Sequence, residues 1–129
     1  MDTQENYDGP LSKLRVWQLA IDFAVKYVPY IDRIESKVLR DQLFRSINSI
    51  PSNIAEGYGR NSSGDYARFL RIALGSTFEA ESQLIILGKV GEYPGDIEES
   101  LKDLKVIRIK LFKLIKAIKG SKALESNDL

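Results

Sequence analysis

QLFRSINSIPSNIAEGYGR, residues 42–60, carries two stripes at one helical spacing. Leu39, Leu43, Ile47, Ile50 and Ile54 step by four and three residues, which places them on one face of a helix. Gln42, Ser46, Ser49, Asn53 and Glu56 repeat at the same step beside them. A structural bundle helix widens its apolar stripe into such a row or fills it with long charged side chains. Here the row holds short hydroxyls and amides and ends in a carboxylate, so a specific polar contact is expected along this seam.

Working outward, the stripe predicts a helix over about Lys37 to Tyr58 that continues in register through Pro51 and closes at Gly57 and Gly59. The loop from Gly59 to Gly64 leads into another helix, with Ser62 or Ser63 as its cap and Asp65 in the first turn. That helix runs to about Lys89 on a seam of Leu70, Ala73, Thr77, Ala80, Leu84 and Leu87. Beside this seam, Phe69, Ile72, Ser76, Glu79, Gln83, Ile86 and Val90 form a second row with a polar middle. Upstream, a helix is expected from an N-cap at Ser12, with Leu14, Trp17, Ile21, Ala24, Val28 and Ile31 as its seam and Pro29 either kinking it or ending it within a turn. Downstream, a last helix starts near Asp96, carries Ile97, Leu101, Leu104, Ile107, Leu111, Leu114 or Ile115, and Ile118, and stops at Gly120. The fold expected is all-α: an antiparallel up-down-up-down four-helix bundle over residues 11–120, between disordered ends at 1–10 and 121–129.

The chain has 129 residues, enough for one domain with a core of its own. It lacks cysteine, which excludes disulfides and zinc–thiolate sites, and it lacks histidine, the commonest general base and metal ligand. No base is at hand to activate Ser49 or Ser52, and the Glu-x-x-His pairs of a di-iron bundle cannot form. No catalytic residue, metal site or cofactor is therefore assigned. No apolar run reaches the roughly 20 residues of a membrane span, and the polar, acidic start is unlike a signal peptide. A bacterial-type cytoplasmic location is the expectation.

The net charge of +1 hides a polarised last segment. From Lys105 to Lys122 every charged residue is basic, whereas Asp96, Glu98, Glu99 and Asp103 precede them. Lys105, Arg108, Lys113, Lys116 and Lys119 are the candidate nucleic-acid contacts, either as phosphate ligands multiplied around an oligomer or as a plain solvated face. Phe112 is the one aromatic on this helix, so sequence-specific base reading is not expected.

The polar rows of the two central helices should face each other across their short loop. Asn53 is expected near the level of Leu70, Ser46 near Thr77, and Glu79 and Gln83 near Gln42 to Arg45. Gln42, Ser49, Asn53, Glu56, Arg60, Ser76, Glu79 and Gln83 are the candidate seam or oligomer-interface residues. One reading is a network that fixes helix register or a subunit contact. The other is a pocket in which Asn53, Glu56 and Glu79 hold a ligand or metal.

Ser49-Ile-Pro-Ser-Asn-Ile-Ala-Glu-Gly57, then Gly59-Arg60, then Phe69-Leu70-x-Ile72-Ala73-x-Gly75-Ser76-x-x-Glu79, resembles the four-helix bundle family named for 23S rRNA intervening sequences, also called S23 ribosomal proteins. The Leu14-x-Val16-Trp17-Gln18 element matches as well, and the resemblance spans Leu11 to about Lys119. It implies a bundle that assembles into a ring, typically a homopentamer. It also implies similarity to the accessory variability protein of diversity-generating retroelements, a basic pentamer that binds reverse transcriptase and nucleic acid. A non-enzymatic, homo-oligomeric scaffold binding RNA or DNA is thus the first expectation, and a ring that engages only a protein partner is the second.

Overall fold

The computed structural model describes residues 7–128, with side chains from Tyr7 to Lys119. Four α-helices follow a short 3-10 turn at Pro10–Lys13: α1 (Arg15–Ile31), α2 (Lys37–Tyr58), α3 (Ser63–Lys89) and α4 (Ile97–Asp128). α2 packs most extensively on α3 and α3 on α4, while α1 closes the circuit against α2 and α4. This is the up-down-up-down order that short connections dictate. Among the described residues, no helix is long and apolar enough to cross a membrane.

Local chemistry sets the helix starts. The Ser36 hydroxyl accepts from the Leu39 amide at 3.3 Å to begin α2, Ser62 accepts from Asp65 at 3.1 Å to begin α3, and Asp96 accepts from Glu99 at 3.1 Å to begin α4. Ser12 is not the cap of α1: its hydroxyl turns back to the Gly9 carbonyl at 2.6 Å, and Leu14 stands at the cap without a side-chain bond. Pro10 holds that first turn in 3-10 form and delays the helix to Arg15. α1 ends two residues after Pro29, and α2 passes through a buried Pro51. α4 carries past Gly120, the expected stop, because a lone glycine costs a helix only about 1 kcal/mol against alanine. Of the two ends expected to be disordered, Met1–Asn6 lie outside the described residues and 121–129 outside the described side chains. Tyr7, inside the expected arm, sets its ring 5.7 Å from Trp17.

The core uses the predicted stripes of α2, α3 and α4: Leu43, Ile47, Ile50 and Ile54 meet Leu70, Ala73, Leu84 and Leu87, with Leu104, Ile107 and Leu111 from α4. In α1 the buried line is Val16, Ala20, Phe23, Tyr27 and Ile31, one position away from the expected seam, whose other members are half-buried. The apolar face of α1 is broad enough to hold two adjacent lines of the same period, and tertiary packing selects between them.

Two glycines are needed where they stand. A Cβ on Gly57 would lie 2.8 Å from Phe69 Cβ and 3.1 Å from the Tyr66 carbonyl, so glycine permits the close approach of α2 and α3 beside their loop. Gly91 takes φ +74°, which turns the chain out of α3. The Tyr93 hydroxyl then pins that turn to Ser100 Oγ at 2.8 Å.

Candidate functional site: a polar seam and a basic flank

Three small hydroxyls sit where α2 and α3 face each other. Ser46 and Ser76 are 3% and 6% exposed, and Ser49 is half-buried between them. Ser76 donates to the Ile72 carbonyl at 3.1 Å, which leaves Ser49 as the donor in the 2.8 Å contact between the two hydroxyls. Asn53 Nδ2 in turn donates to Ser49 Oγ and to the Ser49 carbonyl, both at 2.9 Å. A directed chain results, from Asn53 through Ser49 and Ser76 to a backbone carbonyl. One turn away, Ser46 Oγ lies 2.8 Å from Gln83 Oε1 and 3.1 Å from the Gln42 carbonyl. Among the described residues no buried side-chain polar atom lacks a partner, as a native polar interior requires.

The register falls close to the expected one: Glu79 and Gln83 lie by Gln42, Arg45 and Ser46, and Ser49 meets Ser76, within a turn of the level set by Asn53 and Leu70. Above the hydroxyls the helices part into an open groove of about 370 Å³ lined by Gln42, Arg45, Ser46, Ser49, Glu79 and Gln83. The structure therefore brings Asn53, Ser49 and Ser76 into one chain and Gln83, with the Gln42 carbonyl, around Ser46 in a second, and it leaves Glu79 exposed on the groove wall. Glu56 and Arg60 stand apart from both: they pair with each other at 2.8 Å on the surface of α2 and its loop.

The basic flank of α4 is also resolved residue by residue. Lys105, Lys113, Lys116 and Lys119 are exposed, and none of them forms an ion pair among the described residues. They share the outward face with Ile109 and Phe112, which are 43% and 49% exposed. Arg108 does not join them. Its guanidinium is turned to α3, where it meets Glu81 at 2.6 Å, Thr77 Oγ1 at 3.2 Å and the face of Phe78 at 4.1 Å. With that side chain 12% exposed, Arg108 is a clamp between α3 and α4 and not a free phosphate ligand. Its partner Glu81 is 27 residues away in sequence, so no local spacing announces the pair.

α1 is held to α4 by another charged cluster. Lys26 Nζ reaches Glu99 at 3.0 Å and Asp103 at 2.8 Å, and the Tyr27 hydroxyl donates to Asp103 at 2.5 Å. Burial tends to raise the Asp103 pKa, but the bonds from Lys26 and Tyr27 prevail and hold its carboxyl below the usual range. Burial, with the bond to Asp103, pushes the Tyr27 hydroxyl well up; the bonds to Asp103 and Glu99 do the same for the Lys26 ammonium. An open apolar cleft of about 150 Å³ lies beside this cluster, between Leu19 and Phe23 of α1 and Val106 and Ile107 of α4.

These features define a class: an antiparallel four-helix bundle whose central helix pair is keyed by small hydroxyls and amides, with a lysine-rich outer helix. The model of the 23S rRNA-intervening sequence proteins matches residues 12–116, and the chain belongs to that family. It is similar to a crystal structure of a protein of unknown function from the S23 ribosomal protein family of Bacteroides thetaiotaomicron, at 30% identity and a TM-score of 0.73. That match covers 78% of this chain and 98% of the other. Comparison with curated proteins gives no match.

Proposed function

We propose that this protein is a non-enzymatic, homo-oligomeric scaffold that binds nucleic acid through the basic flank of α4. The observation that carries the reading is the set of four exposed lysines, Lys105, Lys113, Lys116 and Lys119, without carboxylate partners among the described residues. Repeated around a ring, such a flank supplies many phosphate contacts, and affinity then falls steeply with salt. The ring itself, a pentamer by the family resemblance, would draw on the α2–α3 groove, where Gln42, Arg45 and Glu79 are left for an incoming surface. Reversal of Lys113, Lys116 and Lys119 to glutamate should abolish most binding to RNA in a filter or anisotropy assay. Undiminished, salt-independent binding by that variant removes the basic-flank reading.

A second reading is a ring that grips a protein partner. Ile109 and Phe112, exposed among the lysines, favour it. Capture of a partner that survives nuclease treatment and is lost in Phe112→Ser supports this reading over the first.

A further inference from the structure

The fold gathers positive charge that the sequence scatters. Arg108 faces Thr77, so α3 and α4 run past each other with a known level. From that contact Lys119 lies about 16 Å along α4, and Arg68 lies about 14 Å back along α3. The exposed Arg68 and Arg71 therefore stand at the same end of the bundle as Lys113, Lys116 and Lys119, together with Arg60 in the α2–α3 loop. The Lys26–Asp103 contact places Arg15, at the start of α1, at this end too. Its acids include Glu56 and Asp65, which already sit 2.8 Å from Arg60 and 3.6 Å from Arg68. The opposite end carries Asp32, Glu35, Glu92, Asp96 and Glu98 interleaved with Arg33, Lys37 and Lys89, so its charges offset one another.

Aromatic rings lie at the basic end. Arg60 and Arg68 both stack on Phe69, their guanidinium carbons 4.8 and 4.4 Å from its centroid. Stacking on Phe69 and the facing carboxylates hold each guanidinium in place, Arg60 Nη2 on Glu56 and Arg68 Nε near Asp65, and only the remaining N–H groups are left for phosphate. Tyr58 is 43% exposed and is steadied edge-on by Tyr66 at 6.1 Å. An exposed ring beside fixed cations suits an unpaired base on a phosphate chain, whereas a duplex keeps its bases stacked inside.

We infer that the bundle end built from Tyr58, Arg60, Arg68 and Arg71, with Lys113 to Lys119 of α4 beside them, is a binding site for single-stranded nucleic acid. The inference rests on the nucleic-acid reading above and assigns it a place and a strand state. The lysines supply charge, and Tyr58 selects the single strand.

The test is fluorescence anisotropy of the full-length protein with a short labelled oligouridine and with a duplex RNA of equal length, both at low salt. Tyr58→Leu should weaken oligouridine binding about tenfold and leave duplex binding unchanged. Arg60→Gln with Arg68→Gln should weaken both about tenfold, and Lys89→Glu, at the other end, should change neither. If the three end substitutions bind as the parent does while reversal of Lys113, Lys116 and Lys119 abolishes binding, the end site is overturned and the basic flank stands. If the parent binds neither RNA, both readings fall. Photocrosslinking of the unaltered protein to a thiouridine oligomer gives a readout free of folding effects. Adducts within residues 58–71 support the site, and adducts confined to other segments overturn it.

Discussion

The α2–α3 and α1–α4 interfaces solve one problem with different chemistry. Between α2 and α3 the polar groups are short and neutral, and the bonds run from Asn53 through Ser49 to Ser76 and from Ser46 to Gln83. Small side chains and Gly57 let the helices approach closely. Between α1 and α4 the polar contacts come from the charged, partly exposed Lys26, Glu99 and Asp103, beside an open apolar cleft. Neutral hydroxyl chains fix register whatever the pH, whereas the charged cluster adds stability that titrates and is screened by salt. The first interface suits a rigid scaffold and the second an adjustable seam.

Four substitutions and a pH titration test this contrast, beginning with the most severe. Gly57→Val should cost about 2–3 kcal/mol, because its branched side chain must enter space held by Phe69 and the Tyr66 backbone. Thermal melting without loss would mean that α2 and α3 can separate freely there. Tyr27→Phe should cost about 1 kcal/mol, a charged-acceptor bond discounted for the partial exposure of Asp103.

The same cluster predicts a pH profile. The folded-state pKa values of Tyr27 and Lys26 are raised, so their contribution is complete below the ordinary values of 10.0 and 10.5 and is lost as pH climbs above them. The pKa of Asp103 is lowered, so its contribution is complete above 3.8 and is lost as pH falls below it. Melting temperature should therefore be level near neutrality and fall on both flanks, and Tyr27→Phe should flatten the alkaline fall.

Smaller effects separate the seam from the groove above it. Asn53→Leu removes the head of the hydroxyl chain and should cost about 1 kcal/mol, read by denaturant unfolding. Glu79→Leu touches only an exposed groove wall and should change the stability of a single subunit by less than about 0.5 kcal/mol. A changed particle mass in Glu79→Leu, without a changed melting point, assigns the groove to assembly.

The sequence made the helices of the central pair legible because each carries its own period and stop. α2 falls at Lys37–Tyr58 and α3 at Ser63–Lys89, as their stripes, loop and glycines imply. The polar seam was legible too, since its members repeat at helical spacing and only a facing helix can satisfy them. Its level was legible to within a turn, since the short loop sets the register and the side chains at the contact, Ser49 with Ser76 and Ser46 with Gln83, decide the remainder. α1 misled because its apolar face is broad enough to hold two adjacent lines of the same period, opposite Arg15, Gln18, Asp22 and Lys26. The role of Arg108 was hidden in the same way, as its spacing matches its lysine neighbours and only the distant Glu81 withdraws it. The basic end escaped altogether, since Arg15, Arg60, Arg68, Arg71 and Lys113 to Lys119 are remote along the chain and meet only through antiparallel packing.

Light scattering of the purified protein, with and without a generic RNA at low and high salt, tests the central claim most directly. The account predicts a stable multimer whose mass rises with RNA at low salt and returns to the protein-only value at high salt. A monomer, or a multimer indifferent to RNA at both salts, would contradict it.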